Sequence, residues 1–317
     1  MKIAIAGASG FVGQALVAEL AGRHEIIALG RSGASPSSDS RVDWRKCDLF
    51  SAEQTQAALK GAEAAVYLVH SMVPAARLNQ ASFEDLDFAL ADSFARSARA
   101  AGVKRIVYLG GLSSGTTPLS RHLKSRIEVE RALAGHGVPV TTLRSGLILG
   151  AQGSSFQMLY LLVRRLPVML CPRWASTRLH CIGLGDAVRF LEFSLVSPEA
   201  VGKTFEIGCR ESVSYRELME KTAGLLGLSR GFLQVPLFTP GLSRLWVQLI
   251  TGASAALVRP LVQSLRHEMV VRDRSIETLS QISPRGLDES LAACLKGIRP
   301  SLRSITCLLY TSDAADE

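Results

Sequence analysis

Long hydrophobic runs are missing from this 317-residue chain: no uninterrupted apolar span reaches the length of a membrane-crossing helix. The nearest approach, LSRLWVQLITGASAALVRPLV at residues 242–262, is broken by Arg244, Gly252, Arg259 and Pro260 and reads as two amphipathic helices. Its arginines leave peripheral contact with an anionic membrane open over residues 242–274 as a secondary reading. A secretory leader is not expected either, since MKIAIAGASGFVG follows its one lysine with an apolar run too short for the purpose, and a cytoplasmic protein is expected. The six cysteines, at 47, 171, 181, 209, 294 and 307, form no C-x-x-C pair and no Cys/His spacing. Neither a metal site nor a disulfide framework is therefore expected, and reduced core thiols account for them. Basic residues outnumber acidic ones, 36 to 28, but they form no tract and accompany no helix-turn-helix pattern, so nucleic acid is not an expected partner. A net charge of +8 suits an anionic small molecule, or is a generic basic surface.

What the chain does have is an ordinary globular composition, 47% hydrophobic and 20% charged, and enough length for one large α/β domain with a smaller lobe. Through the first 150 residues short apolar runs alternate with helical stretches. KIAIAG, EIIALG, VDWRKCDL, EAAVYLV, KRIVYLGGL and VPVTTLRSGLILG read as six strands, separated by FVGQALVAELAG, EQTQAALKG, SFEDLDFALADSFARSARAAGV and the segment from residue 120. Helices between strands imply a parallel sheet with right-handed crossovers, covered on both faces: a doubly wound, Rossmann-type fold. Residues 1–150 are assigned to this dinucleotide-binding domain, its sheet completed by later segments, and 151–303 to a mostly helical substrate lobe. In that lobe SSFQMLYLLVRRLPVMLCPRW reads as a helix and a proline-bounded loop. SYRELMEKTAGLLGL reads as a helix with Ser214 and Glu217 as a capping box. Residues 304–317, acidic and without period, read as a non-native or disordered tail; a terminal helix seated on Leu308, Leu309 and Tyr310 is the competing view.

IAGASGFVG places Gly7, Gly10 and Gly13 between the first strand and the first helix, with Ser9, Phe11 and Val12 in the same loop. Gly7 permits a tight turn, Gly10 a close approach of backbone N–H groups to a pyrophosphate, and Gly13 close helix packing. The helix N-terminus adds a positive end for the phosphates. A glycine-rich turn without a ligand is the alternative. After the second strand stand Arg31 and Ser32, with no carboxylate to bind a ribose hydroxyl, which favours a 2′-phosphate and hence NADP(H), with NAD the other possibility.

With CDL after the third strand, YLVHSM after the fourth and VKRIVYLGGL in the fifth, the glycine motif resembles the short-chain dehydrogenase/reductase superfamily. The similarity is to its atypical NAD(P)H-binding branch, near NmrA-like and epimerase/dehydratase-like proteins, and it runs over about residues 1–300. The resemblance implies that Asp48 and Leu49 frame the adenine and that Val69 and His70 lie near the cofactor ribose; as residues alone, Asp48 reads equally as a turn residue and His70 as a strand-end histidine. It also implies a Tyr-x-x-x-Lys pair after the fifth strand with an upstream hydroxyl. Here Ser113 and Ser114 supply the hydroxyl, but His122 and Arg126 stand in the pair's place, on one helix face.

Two readings of that stretch stay open. In one, Ser113 or Ser114, His122 and Arg126 form a proton relay beside a nicotinamide. In the other, His122 is a helix-surface or cofactor-contact residue and Arg126 pairs with Glu130. Arg144, Ser145 and Gly146, ending the sixth strand, are expected at the cleft; His180 reads as a pocket residue or a satisfied buried histidine. Trp174 and Trp246 wall an apolar cavity or simply pack. The function expected is NADP(H)-dependent hydride transfer to a carbonyl or quinone-like apolar small molecule. Its rival is a non-catalytic NAD(P)-sensing regulator or accessory subunit of a membrane-associated complex.

Overall fold

A computed structural model describes residues 1–31, 41–70, 83–113, 119–235, 250 and 264–298. The expected low-complexity loop at 32–40, Ser114, most of the amphipathic 242–274 stretch with Trp246, and the tail at 304–317 lie outside the described residues.

The first layer follows the predicted alternation: β1 (Lys2–Ala6), α1 (Phe11–Leu20), β2 (Glu25–Gly30), β3 (Val42–Lys46), α2 (Ala52–Leu59), β4 (Ala64–Tyr67), α3 (Phe83–Ala100), β5 (Arg105–Gly111), α4 (Arg121–Ala134) and β6 (Val140–Ser145). Beyond it come β7 (Leu147–Leu149), α5 (Ser154–Arg165), β8 (Val168–Cys171), β9 (Arg178–Gly183), α6 (Leu184–Val196), β10 (Thr204–Ile207), β11 (Ser212–Ser214), α7 (Tyr215–Leu225), β12 (Gly231–Gln234), α8 (Ser275–Ser280) and α9 (Leu287–Gly297). The main sheet has the order β10-β6-β5-β4-β1-β2-β3 and every pairing in it is parallel. The chain leaves β1 toward β2 on one side and returns as β4 on the other, so the switch point, where such sheets bind ligands, lies between β1 and β4. Register brings Ala6, Leu29, Tyr67 and Tyr108 abreast. The loops that follow them therefore open on one edge.

Alternation along the strands divides the core. Ile3 and Ile5 face α1 and α6 with Leu16, Phe190 and Leu191, whereas Ala4 and Ala6 face the side covered by α2, α3 and α4. The small alanines leave room for aromatics on that side: Tyr67 packs on Phe94 at 5.0 Å and on Tyr108 at 6.3 Å between ring centroids. All three are fully buried.

Residues 184–207 serve this first layer as well: α6 covers its α1 face and β10 is its edge strand beside β6. The expected sixth strand, residues 138–150, is two. At Gly146 a Cβ would stand 2.2 Å from the His180 carbonyl oxygen, and the chain crosses there from the main sheet to a small one, β11-β9-β7. The proline-bounded loop expected after α5 contains β8, which pairs in parallel with β12. The capping box at α7 is present: Glu217 N–H donates to Ser214 Oγ at 3.1 Å and Ser214 N–H to Glu217 Oε2 at 2.7 Å.

Candidate functional site

Three glycines shape the loop between β1 and α1. Gly7 takes φ +85°, and a Cβ there would lie 3.1 Å from the Leu68 carbonyl group at the end of β4. A Cβ on Gly13 would lie 2.1 Å from Gly7 O and 2.8 Å from Ala8 Cα. The first turn of α1 therefore rests directly on the loop backbone, which only glycine allows. Gly10 donates its N–H to Gly7 O at 3.0 Å and is the N-cap of α1 without a side-chain cap. The first-turn N–H groups, including those of Phe11 and Val12, therefore have no intrahelical or capping side-chain acceptor. Ser9 turns its carbonyl away to the Gln14 amide at 2.8 Å. This is a cradle of main chain that a Cβ would fill, and it fits a pyrophosphate.

Around it stand the other residues singled out for the cofactor. Arg31 follows the last residue of β2 and is exposed; Ser32 lies outside the described residues. Asp48 and Leu49 follow β3. Asp48 makes a local turn, its carboxylate accepting the Phe50 N–H at 3.1 Å, and Leu49 and Val69 pack against the aromatic side of the core. The Phe11 side chain points elsewhere: its ring fills the space above Gly150 and Gly153, where a Cβ would come within 2.5 and 3.2 Å of it. At the cradle Phe11 offers backbone only, and its side chain joins the phosphate loop to the turn that opens the C-terminal lobe.

Past the ends of β4 and β5 lies a cluster of buried polar groups. His70 is 13% exposed and its Nδ1 lies 3.0 Å from Asp87 Oδ2. Asp87, on α3, is 1% exposed and also accepts the Ser125 hydroxyl at 3.3 Å. The His122 ring lies 4.9 Å from that of His70. Arg126 donates to the Tyr108 hydroxyl at 3.5 Å, and that hydroxyl donates to the Arg126 carbonyl at 3.3 Å. Burial, with His70 and Arg126 nearby, pushes the His122 pKa down to about 2. Burial and Arg126 push His70 down to about 4 against the pull of Asp87. Tyr108 is moved up by burial.

Burial and the Arg126 guanidinium favour the neutral form of His122, which weighs against a relay in which it gives up a proton as an imidazolium. The alternative pairing of Arg126 with Glu130 is not made either. Glu130 is held by Arg144, with contacts of 2.9 to 3.2 Å, so the Arg144 guanidinium is engaged on α4. Ser113 stands two residues beyond β5, half-buried, and Ser114 lies outside the described residues. His180 is a satisfied core histidine, its Nδ1 accepting the Val271 N–H at 2.9 Å. Trp174 packs edge-on to Tyr215. Cys171, Cys181 and Cys209 are buried, their thiols pushed up by burial. No group of three metal-ligating side chains occurs among the described residues.

Asp87 escaped the sequence reading. The signal was present, because Asp87, Leu90, Ala91, Phe94 and Ala98 share the buried stripe of α3. A carboxylate on such a stripe needs a buried partner.

Comparison with known proteins agrees with this geometry. Residues 7–158 match an NAD(P)H-binding family. The auxiliary protein GraX of Staphylococcus aureus (strain NCTC 8325 / PS 47) is 30% identical over 142 residues, which span 44% of this chain and 43% of GraX, less than half of that relative. Among solved structures, the NADPH-dependent quinone oxidoreductase QOR2 of Escherichia coli, in complex with NADPH, superposes with a TM-score of 0.71 at 18% identity, over 92% of this chain and 99% of that one. The triphenylmethane reductase of Citrobacter sp., in complex with NADP(H), gives 0.73 at 18% identity, over 93% and 100%. Residues 7–158 thus match an NAD(P)H-binding family, and the chain shares the Rossmann-type fold of those two reductases.

Proposed function

We propose that this protein binds NADP(H) in the glycine cradle and catalyses hydride transfer to a quinone-like, apolar small molecule. The single observation that carries the choice of acceptor is that His122 and Arg126 stand one turn apart at the start of α4, where the resemblance would have a tyrosine acid and a lysine. Reduction of an aldehyde or ketone generates an alkoxide, which needs an acid at the moment of transfer. Hydride addition to a quinone generates a phenolate-type anion, far less basic, which solvent protonates afterwards. A site with a neutral imidazole and a fixed cation, Arg126, suits the second reaction and handicaps the first. The names of the two superposed reductases, for a quinone and for a triphenylmethane dye, point the same way, since neither acceptor type demands concerted protonation.

When bound, the cofactor supplies the hydride. The chain's own groups bind and orient. Backbone N–H groups of residues 11–13 would hold the pyrophosphate, and Arg31, the residue after β2, would take a 2′-phosphate. Leu49 and Val69 would border the cofactor's adenine and ribose sides. Arg126, held on Tyr108, would take ribose hydroxyls in place of a lysine and would leave no proton to the reaction.

The test is NADPH oxidation against matched panels of quinones and aldehydes. Quinone turnover at least ten-fold above any aldehyde is expected, with Arg31→Ala weakening NADPH more than NADH. Equal rates on both panels, or no turnover with tight binding of both redox forms, would favour the sensing role instead.

A further inference from the structure

Two nitrogens in the cluster past β4 and β5 have no part in that scheme. His70 Nε2 and His122 Nδ1 are buried and without a hydrogen-bond partner among the described residues. Buried polar atoms left unpaired are rare and costly, so a pair of them in one place calls for a cause. The two rings are 4.9 Å apart between centroids and tilted by 54°. No hydrogen bond joins the two rings here, so a link between them requires the His122 ring to turn toward His70 Nε2 while Asp87 holds the His70 ring in place.

Which nitrogen carries a proton follows from the inner end. An ionised carboxylate only accepts, and Asp87 Oδ2 lies 3.0 Å from His70 Nδ1, so that nitrogen holds the hydrogen. In a neutral ring His70 Nε2 is then a bare lone pair. His122 Nδ1 meets it productively only as an N–H, which leaves His122 Nε2 bare in turn. His122 is in the first turn of α4 and half-buried, so its outer edge is reachable from the cleft. The groups facing the two rings are Asp87, Arg126 and each other; the guanidinium and the burial keep both rings neutral.

We propose that Asp87 sets the tautomers of a two-histidine chain, Asp87–His70–His122, whose outer end is a proton-free Nε2 that accepts a hydrogen bond from a ligand hydroxyl. Asp87 is a positioning residue: it touches no ligand and acts through two rings. The ligand part rests on the hydride-transfer reading, where the hydroxyl is that of the hydroquinone product; the tautomers do not depend on it. A quinone has only acceptor oxygens and gains nothing from a bare nitrogen, so the product is held better than the substrate.

The experiment is 15N NMR of the full chain with labelled histidine. His70 and His122 are expected with protonated Nδ1 and bare Nε2. Asp87→Asn, whose amide can donate, should turn His70 over to the Nε2–H form and His122 with it. Ser125→Ala, which removes a bond to Asp87 but no charge, should leave both as they are. His70→Gln keeps Asp87 and cuts the chain, so His122 alone should revert; it serves where Asp87→Asn does not fold. Either ring in the Nε2–H form in the unaltered protein, or tautomers indifferent to both Asp87→Asn and His70→Gln, would overturn the chain. In product-inhibition assays, Asp87→Asn should weaken the hydroquinone about ten-fold, the scale of one hydrogen bond to a buried group, with NADPH affinity within about two-fold of the original. Tautomers as expected with no hydroquinone binding would keep the chain and overturn the hydride-transfer assignment.

Discussion

His70 and His122 couple the site to pH. Both are held below the ordinary histidine value of 6.5, to about 4 and about 2. On unfolding each ring regains its normal proton affinity. Between 6.5 and the folded values the unfolded chain therefore binds more protons than the native one, and the free energy of unfolding falls as pH falls. Their contribution is whole above pH 6.5 and is lost through the window from 6.5 to about 4 for His70 and onward for His122. The urea midpoint should drop between pH 7.5 and pH 5, and a His70→Gln/His122→Gln double variant should show a shallower drop. An unchanged slope in that variant would place the pH sensitivity elsewhere. How legible these residues were depends on distance along the chain. His122 and Arg126 share a helix face and could be read from spacing. The downward push on the His122 pKa could not, because it comes from burial beside His70 and Arg126, and His70 lies 52 positions away, 122 minus 70. Asp87 was half legible, as a charge on an apolar stripe whose partner no local pattern names.

Helices and strands differ in what they betray. The glycine motif was readable because strand, turn and helix are contiguous, and the same holds for the Ser214–Glu217 capping box, three residues across. The strands of the lobe were not. β8, β11 and β12 are three or four residues long and hold their place through partners far along the chain, as when Gly231–Gln234 aligns with Val168–Cys171. Short runs like these carry too little period to separate from loop. The break between β6 and β7 likewise comes from the His180 carbonyl beneath Gly146, a contact no window reveals. Two glycine substitutions measure what packing adds to local preference. Gly224, inside α7, has nothing within 4 Å of a Cβ. Gly224→Ala should raise stability by about 0.5–1 kcal/mol on helix propensity alone. Gly13→Ala should lower it by about 1–3 kcal/mol, since α1 has to shift off the loop, and should weaken NADPH at least ten-fold. Urea unfolding and calorimetric titration of both variants check this; a Gly13→Ala protein that binds normally would mean that the cradle does not hold the phosphates.

At the scale of the molecule, the first layer and the lobe are tied at several points. β10 is an edge strand of the main sheet, α6 covers α1, and Phe11 fills the space above Gly150 and Gly153. No helix among the described residues is long and apolar enough to cross a membrane, and the burial is directed inward. Phe11 gives this coupling a consequence for binding. Its backbone belongs to the cradle while its ring belongs to the lobe, so a ligand that fixes the loop also fixes the turn at 150–153. A ligand present at a hundred times its dissociation constant stabilises the native state by about 2.7 kcal/mol, and where two parts unfold together the gain is shared by both. NADPH should accordingly raise the thermal midpoint in one transition, seen alike by Trp44 in the main sheet and by Trp174 in the lobe. Phe11→Ala leaves every backbone donor in place and removes the one tie that starts from the cradle itself. It should split the transition, with NADPH raising the Trp44 midpoint and leaving that of Trp174 behind. If the two probes still move together in that variant, the remaining contacts of α6 and β10 suffice to unite the molecule, and Phe11 is a packing residue with no part in transmitting the ligand's effect.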